Sequence, residues 1–160
     1  MKRLKLIALL IVVGQVSYAQ IVEPLHWSWK AVRIDGNIYD LVFTVKIDTP
    51  WHTYSQTVKG DVPRPTLISL DKNPDIELIG RTTEEGLRVK VIDDPQIEEK
   101  IKIFEAEAIF TQRIKIKKST KVTGYVEAMA ANTTTAMQPN QVGFKIDVGI
   151  VKSVRIILDN

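Results

Sequence analysis

Cysteine is absent from the 160 residues of this chain. That absence excludes structural disulfides, thiolate metal centres and any thiol nucleophile, and it leaves no sulfur through which a lipid could be attached. Histidine occurs only twice, as His26 and His52, too few for an imidazole cage. The longest apolar run, Leu6–Val13, falls short of the roughly 20 residues that a membrane-spanning helix needs. No repeat, low-complexity tract or interdomain linker interrupts the chain, so one domain is expected.

The first residues have the pattern of a secretory signal. Lys2, Arg3 and Lys5 make a positive start, Leu4 and Leu6–Val13 an apolar middle, and Ser17-Tyr18-Ala19 a small-residue cleavage site. The expectation is a signal peptide over 1–19, cleavage near Ala19/Gln20, a single domain over 20–160, and a periplasmic or secreted location. Removing 1–19 takes three of the 22 basic residues and none of the 19 acidic ones, so the mature chain is neutral. The basic pI of about 9.1 therefore belongs to the signal and is no footprint of nucleic acid.

What the chain does have is alternation. Tyr39, Leu41, Phe43, Val45 and Ile47 share one side of a run whose other side holds Asp40, Thr44 and Lys46. Leu87, Val89 and Val91 alternate with Arg88 and Lys90. Phe104, Ala106, Ala108, Phe110, Ile114 and Ile116 predict one face of a long strand. Val122–Ala130 and Val142–Val148 repeat the pattern, and Val154, Ile156 and Leu158 suggest a last short strand. Trp27–Arg33, Trp51–Ser55, Thr66–Leu70 and Ile76–Gly80 complete the set. Asp35-Gly36-Asn37 predicts a hairpin turn, and Asp48-Thr49-Pro50, Asn73-Pro74-Asp75, Glu85-Gly86 and Asp94-Pro95 predict breaks. Lys59–Pro65 predicts a loop. Many short strands with frequent turns point to an antiparallel sandwich or barrel, with no helix in the mature chain.

An ordered series of segments now gains meaning. Trp27-Ser28-Trp29, Leu41-Val42-Phe43, Trp51-His52-Thr53-Tyr54-Ser55-Gln56, Asn73-Pro74-Asp75-Ile76-Glu77-Leu78-Ile79-Gly80 and Glu84-Glu85-Gly86 come first. Phe104–Ile116 and Gly124–Val148 follow. In this order, over about 24–148, they resemble the N-terminal periplasmic domain of the thiol:disulfide interchange protein DsbD, the disulfide-bond corrector family. The resemblance implies an immunoglobulin-like antiparallel β-sandwich. It also implies electron transfer through two cysteines, set after Glu-x-Met-x, with four residues between them and a proline stretch following. Here the segment reads Glu127-Ala128-Met129-Ala130-Ala131-Asn132-Thr133-Thr134-Thr135-Ala136-Met137-Gln138-Pro139, so Ala131 and Ala136 occupy the cysteine positions.

Exchange needs a thiolate to attack a disulfide sulfur. Alanine has none, and the hydroxyls of Thr133, Thr134 and Thr135 cannot cycle through a two-electron bond. The family's covering loop offers an aromatic residue, where Ile97 stands here after Asp93-Asp94-Pro95. Ala128, Thr133–Thr135 and Gln138 also depart from the pattern, which favours natural loss over a laboratory substitution. The expected protein is therefore not an enzyme and needs no cofactor. It is a freestanding, redox-inactive module that binds a periplasmic or membrane redox protein through Asn132, Thr133, Thr134, Thr135, Met137, Pro139, Pro95 and Ile97. The competing class is an envelope protein that binds a ligand or glycan through exposed Trp27, Trp29 and Trp51.

Other constellations read as structural. His52, between Trp51 and Tyr54, is expected to pack rather than bind metal. Glu84-Glu85 and Asp93-Asp94 are expected to be solvated turn carboxylates. Lys115-Ile116-Lys117-Lys118 is expected to guard an exposed strand edge.

Overall fold

The computed structural model describes residues 22–60, 62–94 and 99–149. The expected signal, the expected short strand at Val154–Leu158, and both Pro95 and Ile97 lie outside these residues. The described chain contains β1 (Leu25–Asp35), β2 (Ile38–Ile47), β3 (His52–Tyr54), β4 (Leu67–Leu70), β5 (Ile76–Asp94), β6 (Glu99–Ile116), β7 (Thr120–Ala128), β8 (Ala130–Ala131) and β9 (Asn140–Val148). Every pairing is antiparallel. One sheet runs β1-β2-β6-β3-β8 with β5 also on β6, and the other runs β4-β7-β9.

The alternation in β2 builds the centre of this sandwich. Leu41, Phe43 and Val45 are fully buried, while Asp40, Val42 and Thr44 lie on the other face. They meet Phe110, Ile114 and Ile116 of β6, Val122 and Val126 of β7, and Phe144, Ile146 and Val148 of β9. Phe43 and Phe144 stack edge to face across the two sheets at 4.7 Å between ring centres, a contact beyond simple area burial. Trp27 and Trp29 are half-buried against this core, with ring centres 5.9 Å from Phe110 and 6.0 Å from Phe144. Trp51 also packs on it. The tryptophans thus contribute to packing, and no free-standing aromatic platform projects from the described surface.

Three local expectations are corrected. Glu85-Gly86 is not a break: Ile76–Gly80 and Leu87–Val91 belong to one strand, β5, which follows β6 for its whole length. Gly86 serves close packing rather than a turn, since a Cβ there would lie 2.4 Å from Cδ1 of Phe104. The expected single face of β6 is interrupted at Ala106, whose φ of 66° marks a bulge opposite the Gly86/Arg88 register shift. Beyond it Ile101 and Ile103 leave the main core and join Tyr54, Val58, Met129 and Ala131 in a second buried cluster. A second shift, between Ile79 and Thr83, is filled by buried Gln112, which accepts from Thr82 at 2.9 Å and donates to the Arg113 carbonyl at 2.8 Å.

Lys115–Lys118 does not guard an edge, because β6 is paired on both sides. Instead Lys117 donates to the Pro74 carbonyl at 2.8 Å and Lys118 pairs with Asp75 at 3.2 Å, tying down the turn before β5. The Asp35-Gly36-Asn37 hairpin forms as expected, with Gly36 at a φ of 49°.

Candidate functional site

After β7 the chain leaves the three-stranded sheet, crosses at buried Met129, and adds β8 to the edge of the larger sheet. It then turns over Asn132–Thr135 and returns through Met137 and Pro139 to β9. The crossing is pinned by Thr53, whose hydroxyl donates to the Met129 carbonyl at 3.0 Å. Strand β8 is held to β3 by the pairs His52↔Ala131 and Thr53↔Ala130.

The turn is locally self-sufficient. The Asn132 amide donates to the Thr135 carbonyl at 2.9 Å, and the Asn132 Oδ1 accepts from the amides of Thr134 and Thr135, each at 2.9 Å. That is the turn chemistry expected of asparagine. Met137 donates to the Ala130 carbonyl at 2.8 Å. These two backbone bonds bracket the antiparallel bridge Ala131↔Ala136. The alanines therefore form a non-hydrogen-bonded cross-strand pair, the closer of the two antiparallel spacings. Ala131 is buried and Ala136 exposed, so the pair runs from the second cluster to the surface.

Of the residues expected here, Ala131, Asn132, Thr133, Thr134, Thr135, Ala136, Met137 and Pro139 form one continuous feature. Thr133, Thr134 and Thr135 are exposed, while Asn132, Met137 and Pro139 are half-buried. Beside it opens a groove of about 490 Å³ lined by Val62, Arg64, Met129, Ala136, Met137 and Pro139. Val62 and Arg64 come from a segment whose sequence announced only a loop. No local signal links them to residues more than 60 positions away. Arg64 reaches the carboxylate of Glu127 at 3.4 Å, and Gln141 donates to the other oxygen of Glu127 at 2.6 Å.

Two further titratable groups, Glu84 and His52, have environments set by the fold. Glu84, expected in a solvated turn, lies in β5 with its side chain only 9% exposed. Its carboxylate accepts from Ser55 at 2.5 Å, from Lys102 at 2.5 Å and from the Gln56 amide at 2.8 Å. Burial alone would raise its pKa, but these bonds from Lys102, Ser55 and Gln56 bring it below the usual carboxylate value. Ser55 is fully buried, so this trio fastens the end of β3 to β5 and offers no reachable nucleophile.

His52 stacks edge to face on Tyr54 at 5.3 Å, as expected of a packing residue. Its Nε2 is buried without a hydrogen-bond partner. Burial pushes the pKa of His52 below the ordinary value; nearby Glu105 opposes that shift and Lys90 adds to it. His26, by contrast, is exposed and meets Asp48 at 3.0 Å. Among the described residues no group of three or more His, Asp or Glu is placed to share a cation.

The arrangement can present a shaped, partly apolar surface to another molecule. It holds no group at Ala131 or Ala136 able to give or take an electron pair. No protein-family profile matches the chain, and no curated protein matches it in sequence. In structure it is similar to the N-terminal domain of DsbD from Neisseria meningitidis in the reduced form. The TM-score is 0.50, with 9% identity, over 79% of this chain and 86% of that one. The likeness establishes a shared fold: this chain is an immunoglobulin-like antiparallel β-sandwich.

Proposed function

We propose that this protein is an exported, redox-inactive relative of the DsbD N-terminal domain that binds a protein partner through the surface around Asn132–Pro139. One observation carries the reading. Ala131 and Ala136, at the positions where the resemblance places the family's cysteines, stand in register as a bracketed cross-strand pair. Electron exchange requires a thiolate, whereas docking requires shape, accessible backbone and adaptable apolar contacts. Exposed Thr133–Thr135 and the adjacent groove with Met129 and Met137 supply those. The basic, apolar and small-residue order of 1–19 supports export. The partner this surface suits is a periplasmic or membrane redox protein of the kind that recognises a DsbD-type hairpin.

The test is site-directed photocross-linking in the envelope. A photoreactive residue replaces Thr134 in one variant and Lys30, on β1, in another. Cross-linking of a thioredoxin-like or DsbD-type protein from position 134 and not from position 30 supports the reading. Equal yields from both positions, or disulfide reductase turnover by the purified chain alone, would refute it.

A further inference from the structure

His52 lies at the root of the edge strand, and its surroundings ask for a role beyond packing. Strand β8 has only two residues; it is held to the sheet by β3, and on its other side it meets only the returning turn through the Ala131↔Ala136 bridge. One of the two pairs is His52↔Ala131, so the imidazole stands on the same face as the Ala131 methyl and the Tyr54 ring. The Nε2 is enclosed without an acceptor or donor. Buried polar atoms are nearly always partnered, so an orphaned one marks stored cost or a second state.

The groups that face His52 can be named element by element. From β6 comes Glu105, which the Lys90 ammonium of β5 already engages at 2.7 Å. Arg88 of β5 lies opposite Glu105 in the register. From β3 comes Tyr54, and from β8 only the methyl of Ala131. The carboxylate nearest to His52 engages Lys90 through one of its oxygens, and Arg88 pairs with Glu105 in the register. In the closed arrangement Nε2 itself makes no hydrogen bond.

We infer that His52 is an acid-sensitive latch: its protonation releases β8 from β3 and loosens the Asn132–Thr135 turn while the sandwich core stays folded. Opening lets Nε2 reach water, which the closed edge denies it. The low folded-state pKa of His52 agrees with this geometry. The latch would govern the docking surface proposed above, but its test needs no partner.

The amides of Asn132 and Met137 report on it directly, since each donates a bond that closes the hairpin. An opened histidine with the ordinary pKa of about 6.5 is roughly tenfold more protonated than neutral at pH 5.5. Opening is therefore expected to rise by up to about tenfold between pH 7.5 and 5.5. The experiment is amide exchange by NMR at both pH values, corrected for intrinsic rates, on the wild-type chain and on His52→Phe and His52→Gln. Expected is a several-fold loss of protection at Asn132 and Met137 in the wild type, with the β2–β6 amides unchanged. Both variants should show no pH-dependent loss. The two variants guard against one failing to fold. Unchanged wild-type protection, or the same loss in a folded variant, overturns the inference whether or not any partner binds at Asn132–Pro139.

Discussion

Restoring sulfur at the bridge is the sharpest examination of the site. In Ala131→Cys/Ala136→Cys the two side chains leave a bracketed non-hydrogen-bonded pair, where Cα atoms are typically about 4.5 Å apart. A disulfide accepts Cα separations of roughly 4.4–6.8 Å, so the bond should close without moving the backbone. The ring encloses a short segment. Loop-closure entropy for about six residues gives roughly 2 kcal/mol of stabilisation, less any native strain. With a urea m-value of about 2 kcal/mol/M, the midpoint should rise by about 1 M in the oxidised form and return on reduction. Tryptophan fluorescence is the natural probe, because all three tryptophans pack on the main core. A thiol titration and a two-dalton mass loss would verify closure. If both thiols stay free under mild oxidant, or only intermolecular bonds form, the register assigned to Ala131 and Ala136 is wrong, and the argument from hairpin shape goes with it.

Four further outcomes are expected. Glu84→Ala removes the carboxylate that holds Ser55, Lys102 and the Gln56 amide. It should cost about 2–3 kcal/mol in urea unfolding at neutral pH, below the range for a fully buried pair because Lys102 can reach water. Gly86→Ala puts a methyl into the Phe104 ring and should lower the melting temperature by about 3–10 °C in calorimetry. Ala106→Gly relieves a φ of 66° and should raise stability by about 0.5–1 kcal/mol, net of glycine's unfolded-state entropy, in urea melts. Acid should destabilise the fold in two stages, because the pKa values of Asp40, Glu84 and His52 are all lowered. The contribution of His52 is whole above its unfolded value of about 6.5, and those of the two carboxylates above about 4; each is lost as pH falls through the lower folded value. Urea midpoints measured from pH 8 to 3 would show it, and His52→Phe should abolish the upper stage.

The alternation in β2 and β9 was legible because one face meets the core and the other meets water, so burial follows a period of two. The Asp35-Gly36-Asn37 hairpin was legible for a related reason, since its chemistry is local. Gly86 was misread because its purpose depends on Phe104 in another strand; glycine in isolation looks like a turn. Ala106 could not be anticipated, since alanine carries no mark of a positive φ and the bulge comes from a mismatch in length between paired strands. The resemblance singled out Ala131 and Ala136, and the structure shows them paired across the turn. Val62 and Arg64 were not visible as lining residues, and neither was the His52↔Ala131 contact. Each depends on chain crossings between sheets that no window of sequence contains. Pro95 and Ile97 lie outside the described residues.

The turn at Asn132–Thr135 is closed by its own amides and one asparagine side chain, and none of its residues belongs to either buried cluster. Its three threonines can therefore be exchanged for other residues at little cost to folding. Selection on what this tip touches is largely uncoupled from selection on whether the chain holds together. A lineage could retarget such a tip through successive viable intermediates while keeping the scaffold.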